Sequence, residues 1–459
     1  MFPFFSLLSL LSLFLPSISS SPTPISLSLH PIPQTPSQDP LHRLTHLTRA
    51  SLTRAQHLKK PPISQNPFNS KAPLFPHAYG DYSISLNFGT PPQTSSLIMD
   101  TGSQLVWIPC TKSYTCKNCF FINQHTLQNP PFLPKSSSSS KIIGCSNPKC
   151  RWLHGSDFLH SKCPDCNPTN CSQICPPYFI LYGSGSTTGI LLSETLVFPE
   201  RRVENFGVGC SLLSTRQPAG IAGFGRGPSS LPSQLGLTRF AYCLLSHRYD
   251  DGTNFSSLVL DDATTRRTAD SGEQGLQHTP FLKNPAAGNP SFSVYYYVGL
   301  RKVTVGGKDV GIPYRFLRPG SDGNGGTIVD SGTTFTFMEG HLFEPVAREF
   351  ESQLGHLYKR ETATESRTGL RPCFKVSGDK SFLPPKLVFH FKGGADMELA
   401  VSNYFAFLGE TDTVCLTIVT DGGQLSEGPS IILGNFQQQN FYMEYDLKKE
   451  RLGFRRQLC

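Results

Sequence analysis

Two segments of the sequence share one pattern, in which an aspartate follows apolar residues and precedes a hydroxyl residue, a glycine and a second hydroxyl residue. They are Leu97–Ser103 (LIMDTGS) and Thr327–Thr333 (TIVDSGT). From average residue usage, one Asp-[Ser/Thr]-Gly-[Ser/Thr] tetrad has odds of roughly 2% in a chain this long, so two copies with matching flanks are not explained by composition. Each copy is followed later by two apolar residues and a glycine, at Ile221–Gly223 and Ile432–Gly434.

Each aspartate could belong to an ordinary tight turn, since Asp, Ser and Gly are frequent turn residues. A turn does not explain why both aspartates directly follow large apolar residues, because a buried carboxylate is costly unless it is paired and hydrogen-bonded. Two carboxylates brought close together cannot both ionise, so one keeps its proton. The charged one can accept a proton from water and the protonated one can hydrogen-bond a carbonyl. The repeat therefore predicts that Asp100 and Asp330 form a pair suited to general acid–base chemistry.

The residues after each aspartate have types that would support such a pair. The glycine permits a tight turn that brings backbone amides to the carboxylate. The last hydroxyl can donate to an outer carboxylate oxygen, and the middle hydroxyl can fix the two loops to each other. These supporting residues are Thr101, Gly102, Ser103, Ser331, Gly332 and Thr333.

The elements that must position these loops are mostly strands. Ala, Glu, Lys and Met are scarce, whereas Ser, Thr, Gly, Pro and aromatic residues are plentiful, which favours strands and turns. Residues 178–198 (YFILYGSGSTTGILLSETLVF) predict a hairpin around a Gly/Ser turn. The clearest helix lies within 341–357, where Leu342, Phe343, Val346, Phe350 and Leu354 share one face.

The N-terminal region differs from the rest in composition. An apolar stretch from about Phe2 to Leu15, followed by small residues, predicts a signal peptide. Residues 41–60 carry leucines at helical spacing with basic residues between them. This pattern fits a solvated linker helix, a membrane-surface helix or, as we prefer, a removable prosegment.

The net charge of +8 is concentrated in the same region. Residues 1–73 hold six Lys or Arg and one acidic residue, so the remainder is nearly balanced and predicts no nucleic-acid partner. No later stretch is long and apolar enough to predict a stable membrane anchor.

Fourteen cysteines indicate seven disulfides in an oxidising compartment. Two CxxC pairs, Cys116/Cys119 and Cys163/Cys166, leave a zinc site as an alternative that the predicted secretion disfavours. Six cysteines lie between Cys145 and Cys175, and they allow fifteen pairings. The sequence also holds two glycosylation sequons, at Asn170 and Asn254.

From about residue 79 to 459 the chain resembles the pepsin-like aspartic proteases, in particular the plant group similar to nepenthesin. Aspartic proteases are the type example of two carboxylates sharing one proton. The motifs that carry the resemblance are FGTPPQ (88–93), DTGSQLVWIPC (100–110), YGSGSTTG (182–189), GIAGFGRG (220–227), FAYCL (240–244), YYYVGL (295–300), VDSGTTFT (329–336) and ILGNFQQQ (432–439).

The resemblance implies a mostly β, bilobal pepsin-like double β-barrel or sheet fold with an interlobe active-site cleft, to which each lobe contributes one aspartate. The domains expected are a signal peptide at 1–20, a propeptide at 21–75, an N-terminal lobe at 76–262 with a Cys-rich insertion at about 110–175, and a C-terminal lobe at 263–459.

The resemblance also implies residue roles. Tyr182, Gly183 and Ser184 would form a flap over the substrate, with Trp107 behind it and hydrogen-bonded to Tyr182. The disulfides implied are Cys373–Cys415, Cys243–Cys459, Cys119–Cys210 and Cys110–Cys116. The chain has two more cysteines than the twelve usual in the plant group, which puts the geometry of the insertion in question.

The function implied is a secreted, monomeric endopeptidase that cleaves polypeptides at acid pH without metal or cofactor, in the extracellular space or cell wall rather than the vacuole. Family members are commonly made as zymogens, and we hypothesise that Lys59 or Lys60 pairs with the two aspartates before activation. The alternative is a catalytically silent inhibitor or binding protein of microbial glycanases with the same fold. The intact motifs around Asp100 and Asp330 favour the protease.

Overall fold

The computed structural model describes most of the chain. The described residues are 24–31, 39–60, 81–119, 130–154, 163–164, 166, 171–183, 185–217, 219–246, 256–262, 274–285, 290–376, 382–409, 412–423 and 427–459. The predicted signal peptide, the flap residue Ser184 and both sequons, Asn170 and Asn254, lie outside them.

The described residues of the first half form twelve strands and three helices. The strands are β1 Ile25–Pro31, β2 Tyr82–Phe88, β3 Gln93–Asp100, β4 Trp107–Pro109, β5 Thr115–Lys117, β6 Lys141–Ile142, β7 Tyr178–Leu181, β8 Ser186–Val197, β9 Arg202–Thr215, β10 Gly220–Gly223, β11 Leu237–Cys243 and β12 Ser256–Asp262. The helices are α1 Pro40–Lys59, α2 Arg151–His154 and α3 Leu231–Leu235, with 3₁₀ turns at Pro134–Ser136 and Pro148–Cys150.

The second half contains sixteen strands and four helices among its described residues. The strands are β13 Gln277–Pro280, β14 Tyr297–Val298, β15 Leu300–Val305, β16 Lys308–Asp309, β17 Thr327–Val329, β18 Thr336–Met338, β19 Lys359–Arg360, β20 Cys373–Lys375, β21 Leu387–Phe391, β22 Asp396–Glu398, β23 Phe405–Leu408, β24 Thr413–Leu416, β25 Ile418–Val419, β26 Ile431–Leu433, β27 Phe441–Asp446 and β28 Arg451–Arg456. The helices are α4 Tyr314–Leu317, α5 Gly340–Leu354, α6 Thr362–Thr368 and α7 Asn435–Gln438, with 3₁₀ turns at Pro290–Val294 and Val401–Asn403.

One large sheet joins the two halves. Its strands follow the order β13-β28-β27-β11-β12-β1-β2-β3-β10-β4-β9-β8-β6, with β5 and β7 attached to β9 and β8. Three smaller sheets lie in the second half, with the orders β14-β17-β26-β18-β25, β16-β15-β21-β22 and β19-β20-β24-β23. The fold is mostly β, as predicted.

The repeated sequence pattern becomes a repeated strand arrangement. In the first half β3 runs parallel to β10, with Asp100 opposite Gly223, and β10 pairs with β4 in the antiparallel sense. In the second half β17 runs parallel to β26, with Val329 opposite Leu433, and β26 pairs with β18 in the antiparallel sense. Each apolar–apolar–Gly motif is therefore the strand beside an aspartate strand.

The predicted hairpin and helix are confirmed. β7 and β8 pair in the antiparallel sense across residues 182–185. Helix α5 buries the apolar face expected from its spacing, including Leu342, Val346 and Phe350. No helix within the described ranges is long and apolar enough to cross a membrane.

The N-terminal region is packed against the rest of the molecule. β1 lies between β2 and β12 in the large sheet. The buried leucines of α1, such as Leu44 and Leu58, pack in one cluster with Tyr297 and Phe337 of the second half. A linker helix surrounded by solvent does not fit this packing.

All fourteen cysteines form disulfides, two of them as the resemblance implied: Cys243–Cys459 and Cys373–Cys415. Two implied pairs are wrong, because the structure joins Cys110 to Cys210 and Cys116 to Cys119. The reason is strand pairing: β4 and β9 are parallel neighbours, which places Cys110 and Cys210 with their Cα atoms 5.1 Å apart.

The insertion cysteines pair as Cys145–Cys163, Cys150–Cys175 and Cys166–Cys171. Together with Cys116–Cys119, these bonds use both thiols of each CxxC motif, so the zinc alternative has no thiolate ligands.

Candidate active site

The structure brings Asp100 and Asp330 together at the junction of the two halves. Asp100 ends β3, and Asp330 directly follows β17. Their side chains are 2% and 0% exposed. A Cβ atom added to Gly102 would lie 2.6 Å from Asp330 Oδ1, and one added to Gly332 would lie 2.5 Å from Asp100 Oδ1. Each glycine is therefore needed because the opposite carboxylate lies against its backbone.

Backbone amides hold the inner oxygen of each carboxylate. Gly102 N donates to Asp100 Oδ1 at 2.9 Å, and Gly332 N donates to Asp330 Oδ1 at 3.0 Å. These bonds come from the Asp-x-Gly turn in both loops, as the sequence predicts.

The middle hydroxyls fix the two loops to each other. Ser331 N donates to Thr101 Oγ1 at 2.9 Å, and Thr101 N donates to Ser331 Oγ at 3.1 Å. The same hydroxyls donate to backbone carbonyls across the junction, Thr101 to Val329 at 3.2 Å and Ser331 to Met99 at 2.9 Å. Four reciprocal hydrogen bonds thus set the separation of the two aspartates.

The final hydroxyls of the two loops differ. Thr333 Oγ1 donates to Asp330 Oδ2 at 2.5 Å. The hydroxyl of Ser103 is buried but makes no hydrogen bond of standard geometry with any described residue. Thr333 therefore holds the outer oxygen of Asp330 firmly, whereas Ser103 lowers the pKa of Asp100 through a poorer contact.

Arg54 of helix α1 occupies the space between the carboxylates. Its Nη2 lies 2.7 Å from Asp100 Oδ1, and its Nε lies 3.2 Å from Asp330 Oδ2. The guanidinium is 10% exposed. A delocalised cation with several donors in one plane can serve two carboxylates at once.

The hypothesis that Lys59 or Lys60 pairs with the aspartates is therefore wrong. Lys59 instead forms a buried ion pair with Glu339, and Lys60 forms an exposed one with Glu427 at 3.3 Å. Arg54 reaches the aspartates because it lies three residues after Ser51 and four before Leu58, on the helix face that points inward. Arg54 and Lys59 are both buried basic residues of α1, so the sequence alone does not distinguish which of them meets the aspartates.

The two carboxylates titrate differently in this arrangement. Burial raises the pKa of Asp100; Arg54 lowers it, and the neighbouring Asp330 raises it further. Burial would also raise the pKa of Asp330, but Arg54 and the Thr333 hydroxyl together lower it below its ordinary value. The pair thus favours a protonated Asp100 beside an ionised Asp330.

Of the predicted flap residues, Tyr182 and Gly183 lie over α1. Trp107 Nε1 donates to Tyr182 Oη at 2.9 Å, the contact implied by the resemblance. A Cβ atom added to Gly183 would lie 2.4 Å from Arg54 Cα, so the hairpin rests directly on the helix at Arg54. Beside it is a cavity of about 210 Å³, whose walls include Leu105, Trp152, Ile180, Tyr182, Val294 and Tyr295.

Comparison with known proteins gives the family. A probable aspartyl protease of Arabidopsis thaliana is 34% identical over 420 residues, which cover 83% of this chain and 82% of the relative. Aspartic proteinase nepenthesin-1 of Nepenthes gracilis is also 34% identical, over 83% of this chain and 78% of its own length. The chain belongs to the pepsin-like aspartic protease family, in its nepenthesin-like plant group.

Two family descriptions match the two halves of the chain, and solved structures of low identity share its fold. The family descriptions "Xylanase inhibitor N-terminal" and "Xylanase inhibitor C-terminal" match residues 82–260 and 295–456. A crystal structure titled edgp has a TM-score of 0.65 at 20% identity, covering 95% of this chain and 96% of that one. Basic 7S globulin from soybean has a TM-score of 0.60 at 16% identity, covering 94% and 96%. At these identities the likeness shows the pepsin-like fold alone.

Besides Arg54, the sequence analysis missed a helix residue and a carboxylate near the aspartates. His57 of α1 lies at the cavity, and burial lowers its pKa to about 3. For Asp81, which precedes β2, burial raises the pKa to about 8, and Asp100 contributes to the rise. Neither belongs to a repeated motif, so no local pattern marks them.

Proposed function

We propose that this chain is the precursor of a secreted aspartic endopeptidase that hydrolyses peptide bonds of polypeptide substrates at acid pH. The observation that carries the proposal is the pair of facing carboxylates, one from each half, whose surroundings favour a single shared proton. Asp100 and Asp330 are the catalytic residues in this proposal.

The chemistry needs one charged and one protonated carboxyl group. The ionised carboxylate accepts a proton from a water molecule bound between the two aspartates, and that water attacks the carbonyl carbon of the scissile bond. The protonated carboxyl donates a hydrogen bond to the carbonyl oxygen, where negative charge develops. The proton taken from water then passes to the leaving nitrogen. Tyr182 and Gly183 of the flap would cover the substrate, held from behind by Trp107.

Residues 21–75 act as a propeptide in this proposal. Helix α1 places a cation where the substrate carbonyl and the water must lie, and β1 fills a position within the large sheet. The chain as described is therefore the inhibited form. We propose that residues 1–20 are the signal peptide, that residues 76–262 and 263–459 are the two lobes, and that the protein is a monomer, glycosylated at Asn254 or Asn170.

The proposed location is the extracellular space or cell wall. Seven disulfides, including one that closes the C-terminus onto β11, form and persist in oxidising compartments. A fluorescent fusion that stayed in the cytosol in plant cells would contradict this location.

Cleavage of denatured globin between about pH 3 and 7 tests the activity, because this range brackets the titration of carboxylates. The full chain is expressed, processed at acid pH and compared with Asp100→Asn and Asp330→Asn. We expect each variant to lose at least about 10³-fold in activity, since each removes one of the two proton-transfer groups. Asp309→Asn, at the exposed end of β16, is the matched control and should keep wild-type activity.

A second candidate function comes from the two matching family descriptions, which name xylanase inhibitors. It is a binding protein for microbial glycanases that cuts no peptide bond. The same preparation is titrated against a panel of microbial xylanases. Inhibition without any globin cleavage would favour this candidate and overturn the protease proposal.

A further inference from the structure

A second cation of α1 occupies its own pocket, separate from the two aspartates. The ammonium group of Lys59 is completely buried and forms an ion pair with Glu339. It also donates to the carbonyl of Pro429 at 3.0 Å and lies 5.5 Å from the centre of the Phe337 ring. A buried carboxylate, a carbonyl and an aromatic face together form a site for a primary ammonium ion.

The walls of this pocket do not belong to the propeptide. Phe337 lies within β18, Glu339 precedes α5, and Pro429 precedes β26, all in the second half of the chain. Ser430 Oγ donates to the second carboxylate oxygen of Glu339 at 2.9 Å, and Ser430 O accepts the backbone N–H of Glu339 at 3.0 Å. The carboxylate is therefore fixed by groups that remain when α1 leaves.

Departure of α1 leaves Glu339 without its main cation. A buried carboxylate that loses its partner is strongly unfavourable, so the pocket favours a new cation. Nε2 of His341 lies 3.4 Å from the same carboxylate and offers only partial compensation, because its side chain is largely exposed. Tyr295 Oη, which donates to the carbonyl of Leu58 at 3.2 Å, becomes free to bind the backbone of another peptide beside the pocket.

Along α1 the pocket lies about one and a half helical turns beyond the two aspartates. Five residues of helix separate Arg54 from Lys59, which corresponds to about 7.5 Å along the helix axis. An extended peptide covers that distance in two or three residues, at about 3.3 Å per residue. A peptide whose scissile bond lies between the aspartates would bring one nearby side chain to Glu339.

We propose that Glu339, Pro429 and Phe337 form a substrate subsite of the processed enzyme that selects a lysine side chain two or three residues from the scissile bond. Lys59 is the internal stand-in for that side chain. The compact ammonium suits the pocket better than the planar guanidinium of arginine, whose fork of donors needs a bidentate partner. The inference rests on the proposed protease function.

A peptide series tests the subsite. Lysine, its uncharged isostere norleucine, arginine or glutamate is placed in turn at each of four positions on either side of the scissile bond. We expect one position at which lysine raises kcat/KM by roughly 10- to 100-fold over norleucine, the range for pairing a buried charge. In Glu339→Gln the lysine-to-norleucine ratio should fall to nearly one. Glu398→Gln, which removes the exposed partner of Lys386, should leave the ratio unchanged.

Equal cleavage of lysine and norleucine peptides at every position would overturn the subsite, and so would a lysine preference that survives Glu339→Gln. A binding measurement separates this failure from failure of the protease proposal. Synthetic peptides of residues 39–60, with lysine or norleucine at position 59, are titrated into the processed protein. If nothing is cleaved but the lysine peptide binds at least about tenfold more tightly, the pocket stands and the protease proposal falls. Equal binding overturns the pocket.

Discussion

The two aspartate loops have nearly the same sequence and backbone but hold their carboxylates differently. In both, the glycine amide donates to the inner oxygen at about the same distance, 2.9 and 3.0 Å. Only Asp330 also accepts a hydrogen bond of standard geometry from its own loop, from Thr333, whereas Ser103 lowers the pKa of Asp100 through a poorer contact. Since a bond to the charged form lowers a carboxyl pKa, this difference directs the shared proton toward Asp100. Two loops of nearly the same sequence thus hold carboxyl groups with different pKa values, because of the Thr333 hydroxyl and the shared Arg54 cation.

Replacing Arg54, the cation that both aspartates share, should have the largest effect. In the full chain, Arg54→Met leaves two buried carboxylates facing each other without compensation, which costs about 3–5 kcal/mol. This cost destabilises the state in which α1 is packed against the aspartates. The propeptide should therefore be released and cleaved at least about 100-fold faster at mildly acid pH. The measurement is the rate at which the precursor band disappears on a gel.

Arg49→Met is the matched control for this change, because Arg49 is an exposed arginine of the same helix. It should process at the wild-type rate. If Arg54→Met also processes at that rate, the two carboxylates do not hold the propeptide in place.

The difference between the Thr333 and Ser103 hydroxyls should give a smaller effect. In the processed enzyme, Thr333→Val removes a hydrogen bond to a carboxylate, and such a bond contributes about 1.5–3 kcal/mol. We expect kcat/KM to fall roughly tenfold or more. The acid limb of its pH profile should move to higher pH, because Asp330 loses a group that lowers its pKa. The lower apparent pKa of the pair should therefore rise.

Ser103→Ala makes the equivalent change in the first loop, where the hydroxyl has no hydrogen bond of standard geometry to a described residue. It should change kcat/KM less than about threefold and leave the acid limb in place. Equal effects of the two substitutions would show that the asymmetry of the loops does not persist after activation.

The loops were predictable from sequence because their chemistry is local and repeated. Asp100 and Asp330 each follow a buried strand, and the bonds from Gly102 and Gly332 arise within three residues of chain. The reciprocal bonds of Thr101 and Ser331 required only that the two loops meet.

The parts that were not predictable depend on packing between distant segments. Arg54 and Lys59 are both basic residues of α1, and only the docked orientation of the helix decides which one meets the aspartates. Cys110 joins Cys210 because β4 and β9 are neighbours, a pairing that spans 100 residues of sequence. No local pattern specifies either choice.

The smallest expected effect concerns His57, which lies one turn after Arg54 on the side of the second loop. Burial and, to a smaller extent, Arg54 lower its pKa from 6.5 to about 3, with Asp330 opposing the shift. When α1 is released, the His57 side chain binds a proton below about pH 6.5. When α1 is packed against the aspartates, the same side chain stays neutral down to about pH 3. The docked state therefore loses stability as the pH falls through this window, since the released state binds more protons.

His57→Gln in the full chain removes this contribution, so acid-triggered release should need a lower pH. We expect the midpoint of release to move down by less than about one pH unit, because protonation of the aspartates still weakens the contact with Arg54. The midpoint is measured from the fraction of precursor processed at each pH. His42→Gln, at an exposed histidine of the same helix, should not move it. An unchanged midpoint in His57→Gln would show that the two aspartates alone set the acid response.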